Sequence, residues 1–184
     1  MHHMRKFPEA GFTLIELLIV IAVIGIIAAI AIPELLRARI AGNESSAIAS
    51  LRVINSSQHA YMSSCGNGFY ASSLPILVDP APVGSGFISP DLGSAASIDK
   101  SRYRLTMAQG SEAASAVKDG CNPMGTAANL FSSYYASNAP IAGGQTGTRW
   151  FWTNATGALF ASNANDFAAI QIGNARPGVG SPLQ

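Results

Sequence analysis

The stretch "GFTLIELLIVIAVIGIIAAIAIP", Gly11 to Pro33, decides how the rest of the chain is read. Leu17 to Ile32 is an uncharged apolar run of 16 residues, and Phe12 to Glu16 extends it to 21. That length suits a helix crossing a ~30 Å hydrocarbon layer and exceeds the usual core of a signal peptide. Ala29 to Ala31 nevertheless mimics an A-x-A cleavage site, so an ordinary signal peptide is a competing reading. Glu16 is the anomaly, because a charge at bilayer depth costs a few kcal/mol.

Upstream, "MHHMRKFPEAG" is short and polar, and residues 1–11 read as a cleaved leader. Arg5 and Lys6 place it on the cytoplasmic side by the positive-inside tendency. Arg37 and Arg39 at the other end of the run blur that bias.

Downstream, the sequence does not turn into a loop. Leu36, Ile40, Ala47, Leu51, Ile54 and Tyr61 recur at spacings of three, four or seven, which predicts an amphipathic helix over residues 34–65 continuing the membrane segment 12–33. One helix from Phe12 to about Ser64 would be roughly 80 Å long at 1.5 Å per residue. Pro33 and Gly42 are its weak points, and a bend or local melting is expected near Pro33. Gly66 and Gly68 in "CGNGFY" suit left-handed conformations that end the helix.

Residues 66–102 are rich in Pro, Gly and Ser and read as a connecting region, with short helical turns at 73–78 and 95–100. Strand signals follow in residues 103–184. Tyr103, Leu105 and Met107 alternate with Arg104 and Thr106, aromatic residues crowd 129–137 and 148–154, and 158–162 follows a turn at Gly157. Four antiparallel strands packed on the helix stripe give an α+β head.

Charged residues make up only 11% of the chain, against roughly 25% in average domains, which suits an exported surface. Lys and Arg number eleven against ten Asp and Glu; removing Arg5, Lys6 and Glu9 with the leader leaves nine of each sign. Such a chain offers nucleic acid neither a basic face nor a general attraction. Cys65 and Cys121 form no C-x-x-C. In an exported domain a structural disulfide is the natural reading, stabilising by about 4 kcal/mol in the chain-entropy model, and two buried free thiols are the competing one.

Catalytic motifs are missing: there is no H-E-x-x-H, G-x-S-x-G or G-x-x-x-x-G-K-[ST]. His59 falls on the amphipathic helix, and Asp79, Asp91, Asp99, Glu112, Asp119 and Asp166 are too dispersed to nominate a pair or a calcium site. No cofactor is expected. Sequons at Asn43, Asn55 and Asn154 carry little weight in so Asn- and Ser-rich a chain.

The ordered features of the opening stretch, Gly11, then Phe12, then an acid at Glu16, then an apolar helix with Gly25 and Pro33, closely resemble the N-terminal signature of the type IV pilin superfamily. That superfamily includes pilus subunits, minor pilins and the pseudopilins of type II secretion. The resemblance implies that a prepilin peptidase cuts between Gly11 and Phe12 and methylates the new amino group of Phe12. Glu16 then gains a cationic partner, either the amine of an adjacent subunit or its own at i−4, which offsets the burial of its charge. A Glu16 that snorkels to the headgroups is the bland reading. Gly25 and Pro33 correspond to places where the helix loosens inside a filament, although membrane helices also simply tolerate both residues. Thr13 is expected to satisfy its hydroxyl on the helix backbone. "TGTRWFWTNATGALF" is similar to the last hairpin of small pilin-like heads.

The resemblance implies a filament subunit held in the bacterial inner membrane before assembly and exposed in an extracellular pilus, or a periplasmic pseudopilus, afterwards. Its partners would be the prepilin peptidase, the pilus assembly platform and identical or related subunits. A pseudopilin and a membrane-tethered binding module are the alternatives.

Overall fold

In a computed structural model of the chain, residues 11–81, 84–110, 113–163 and 181–183 are described. The leader residues 1–10, Glu112 and Asp166 lie outside them. The chain divides between Ala38 and Arg39 into two units, taken here in turn.

In the first, helix α1 (Leu14–Ser64) begins and runs on into the second. Helical structure continues through Pro33, where local melting was the expectation. A proline removes one N–H from the ladder, and the bonds of the turns on either side hold the backbone helical. Every Leu, Ile and Val from Leu14 to Leu36 is exposed.

The second unit is the α+β head. Residues 39–64 of α1 bury one stripe, Glu44, Ala47, Leu51, Ile54, Gln58 and Tyr61, at alternating spacings of three and four. The expected stripe starts too early: Leu36 is exposed and Ile40 half-buried, because burial begins only where the sheet offers a surface. At its end α1 unwinds through Asn67 (φ 52°) and Gly68 (φ 88°). Gly66 does not take a left-handed conformation; it is small because a Cβ there would meet the Phe69 carbonyl and lie 2.9 Å from the Tyr61 ring.

The strands are β1 (Tyr70–Ala71), β2 (Ser97–Lys100), β3 (Tyr103–Gln109), β4 (Leu130–Phe131), β5 (Tyr134–Pro140), β6 (Trp150–Asn154), β7 (Leu159–Ser162) and β8 (Ser181–Pro182). Two short helices, α2 (Leu74–Val78) and α3 (Pro90–Gly93), lie between β1 and β2. The main sheet is antiparallel, in the order β2-β3-β5-β6-β7-β8, and β1 pairs with β4 apart from it. The sheet is thus wider than the four strands expected.

The turn at 73–78 is helical as anticipated, whereas residues 97–100 form a strand instead of a helical turn. Ser101 and Arg102, both at positive φ, reverse the chain there and pair Ile98 with Leu105. Local composition gave no sign of a hairpin closed by two non-glycine residues in that conformation.

Period-two burial sets the sheet's inner face. Tyr103, Leu105 and Met107 of β3, Tyr134 and Ala136 of β5, and Phe151 of β6 join Leu51, Ile54 and Tyr61 in one core. Full burial of side chains this size stabilises by about 1.5–3 kcal/mol each. On β6 and β7, Trp152 stacks on Phe160 with ring centroids 5.9 Å apart, in a second, smaller cluster with Tyr135 and Ala158. The hairpin between them turns at Gly157 (φ 78°), and the Asn154 side chain accepts hydrogen bonds from the Thr156 N–H and hydroxyl.

Candidate functional site

The start of α1 is a T-x-x-E capping box. Gly11, Phe12 and Thr13 precede the helix, and Phe12 is 82% exposed. The Thr13 N–H and hydroxyl both donate to Glu16 Oε2, at 3.0 and 2.7 Å, and the Glu16 N–H donates to Thr13 Oγ1 at 3.3 Å. Glu16 therefore has a local task in the uncut chain: it satisfies N–H and O–H donors that lipid could not. The Thr13 hydroxyl serves both that carboxylate and the helix backbone. An amino group at Phe12 would exist only once the bond from Gly11 is cut, and the capping box leaves Phe12 uncapped and accessible.

Gly25 and Pro33 lie within the exposed apolar segment, and a Cβ on Gly25 would meet nothing within 4 Å. The close approach that a glycine permits is therefore available to another chain. The helix is long and apolar enough to cross a membrane.

The structure joins Cys65 and Cys121 as a disulfide, with Cα atoms 4.8 Å apart. Beside it Asn122 accepts from the Tyr61 hydroxyl at 2.9 Å and donates to the Ile76 carbonyl at 2.7 Å, so the end of α1 and the 121–122 loop are knitted together.

Other titratable groups have structural partners. Asp79 accepts from the Met124 N–H and Asp119 from the Ala127 N–H; Asp91 pairs with Lys100 and Asp99 with Arg104. His59 is exposed and meets Tyr70 edge-on. Among the described residues no three His, Cys, Asp or Glu side chains gather as metal ligands. Two sequon asparagines, Asn55 and Asn154, are buried and hydrogen-bonded, so the folded head does not present them.

Sequence reasoning missed Glu44. It is 5% exposed and accepts from the Thr148 N–H and hydroxyl, both at 2.9 Å, and from Arg149, whose guanidinium approaches to 2.7 Å and lies over the Phe151 ring. Burial pushes the Glu44 carboxyl up, but the Thr148 and Arg149 donors outweigh it and hold it below the usual carboxylate range. Gln58, fully buried, was missed too; it donates to the Ala71 carbonyl at 2.7 Å and accepts from the Ala71 N–H at 3.0 Å. A signal existed: Glu44 and Gln58 complete the three-four spacing of Ala47, Leu51, Ile54 and Tyr61, and a polar residue at a core position predicts a buried partner.

Residues 6–32 match the family described as the prokaryotic N-terminal methylation motif. The N-terminal segment is that of the type IV pilin superfamily. Among curated proteins this pilin-type chain is similar to a type IV major pilin protein PilA of Myxococcus xanthus (strain DK1622), 45% identical over 53 residues. The match covers 29% of the present chain and 24% of that pilin, so the chain spans about a quarter of the relative's length. No solved structure matches the chain. A pilin-type protein is structural and not an enzyme.

Proposed function

We propose that the chain is a structural subunit of a type IV pilus. A prepilin peptidase cuts between Gly11 and Phe12 and methylates Phe12, the subunit waits in the inner membrane as a single-pass protein, and the assembly platform moves it into an extracellular homopolymer. Adhesion, motility or DNA uptake would then be properties of the fibre and its partners. The observation that carries this reading is the bare apolar half of α1 behind a capped Glu16: Leu14 to Leu36 has no protein covering it, and only lipid or other chains can do so. Transfer from lipid to a bundle of copies exchanges one apolar surrounding for another, so small residues such as Ala22, Gly25, Ala28 and Ala29 favour close packing. The similarity to a major pilin favours the pilus over a secretion pseudopilus.

Shearing cells, imaging the sheared fraction by electron microscopy and sequencing its protein by mass spectrometry tests the proposal. Filaments built of a chain beginning at N-methylated Phe12 are expected. A mature protein that keeps residues 1–11 would overturn the processing step and leave a tethered module; absent filaments with a secretion defect would mark a pseudopilin. Glu16→Ala should still be cut and inserted while filament yield falls at least several-fold, and normal yield would remove the registration role given to Glu16.

A further inference from the structure

The apolar stripe of α1 is a poor ruler. Ala47, Leu51, Ile54 and Tyr61 repeat every three or four residues, so sliding the helix one turn along the sheet, about 5.4 Å, again sets apolar side chains against the core. Burial is non-directional and separates the two seats weakly. The hydrogen bonds are different. Asn55 donates to the Gly157 carbonyl at 2.9 Å and accepts from the hydroxyls of Tyr134 and Thr153; Gln58 holds both backbone groups of Ala71; Asn138 donates to the Ala47 carbonyl at 2.8 Å. A one-turn slide breaks all of these at once and leaves buried polar groups unpaired, the most costly way to lose a hydrogen bond. A single buried amide fixes register in coiled coils by the same physics.

We propose that the buried amides Asn55 and Gln58 are a register lock that selects the one seat of α1 in which Cys65 meets Cys121. In that seat the two Cα atoms lie 4.8 Å apart. A displacement of one turn along the helix axis carries Cys65 to about 7 Å or more from Cys121, beyond the reach of a disulfide. The lock therefore acts before the covalent bond exists, when the reduced head first closes on the helix. It belongs to the head alone and holds whether or not the chain enters a filament.

The test is oxidative refolding of the full chain in detergent from the reduced, denatured state in a glutathione buffer, with alkylation and mass spectrometry to count the Cys65–Cys121 bond. In the variant Asn55→Leu, Gln58→Leu, Tyr134→Phe, which replaces the amides and the phenol hydroxyl by apolar groups, early disulfide yield should fall about tenfold, the factor expected for roughly one such network. A second readout uses the Ser46 hydroxyl, which donates to Ser101 at 2.8 Å, and Ser50, one turn further along. In a Cys65→Ser, Cys121→Ser background, the pair Ser46→Cys with Ser101→Cys traps the native seat and Ser50→Cys with Ser101→Cys the slipped one. Only the first should cross-link with the amides present, and both without them. Unchanged disulfide yield with no slipped cross-link would overturn the lock. If the triple variant does not fold, Gln58→Met alone decides: slower disulfide formation supports the lock and an unchanged rate refutes it.

Discussion

The first half of α1 exposes every large aliphatic side chain it has, while the second half buries a stripe of six residues that includes a carboxylate and an amide. Both halves are helix, so the difference lies in how each polar group is satisfied. Glu16 turns back on its own helix and caps it through Thr13; Glu44 reaches across to Thr148 and Arg149, more than a hundred residues away. A segment that must exchange lipid for other subunits keeps its polar chemistry local, and a segment that belongs permanently to a fold spends it on distant partners.

The sharpest way to break the comparison is at its first residue. Gly11→Val should abolish cleavage, leave residues 1–11 on the chain by mass spectrometry, and leave sheared fractions without this protein; efficient cutting would mean that the peptidase site does not need a bare backbone there. Next in size, Cys65→Ser with Cys121→Ser should destabilise the head by about 4 kcal/mol and lower its thermal midpoint by about 10 °C, read by circular dichroism in detergent. Glu44→Leu leaves Arg149 without its partner; since that arginine is partly exposed, the cost should be about 2 kcal/mol in urea unfolding near neutral pH.

Acidification sharpens the Glu44 prediction. Because the folded carboxyl sits below its ordinary value, the native state binds its proton less readily than the unfolded chain. The stabilisation is complete above the unfolded carboxyl's pKa and fades as pH falls through the folded one, so the variant and the parent should converge in acid. A gap that stays constant with pH would show that Glu44 acts by packing and not by charge. The smallest effect belongs to the capping box. Thr13→Val should cost the start of α1 about 1 kcal/mol, seen as faster amide exchange over the first turn, and Thr13→Ser should restore protection.

How much of this was legible in the sequence depends on how local the cause is. The apolar run, the end of α1 near Cys65, the alternation in β3 and the turn at Gly157 all follow from neighbours within a few residues. Residues 97–100 were misread because their strand forms by pairing Ile98 and Lys100 with Leu105 and Tyr103, and their own composition is neutral. Glu16 stood out as a charge in an apolar run, but its partner was sought at Phe12, and the T-x-x-E spacing that supplies Thr13 went unused. Leu36 and Ile40 fit the helical period, yet periodicity cannot say where along a helix the opposing surface begins.

The disulfide end of α1 also governs how the head can be isolated. Leu51, Ile54 and Tyr61 are fully buried, so the sheet's inner layer is roofed by a helix that the head shares with the membrane segment. Cutting the chain at Gly66 would strip off that roof and strand Met107, Tyr134 and Phe151 in water, whereas beginning at Arg39 keeps it and discards the greasy half. A water-soluble form of this protein therefore starts in the middle of a helix, at a boundary that secondary structure does not mark.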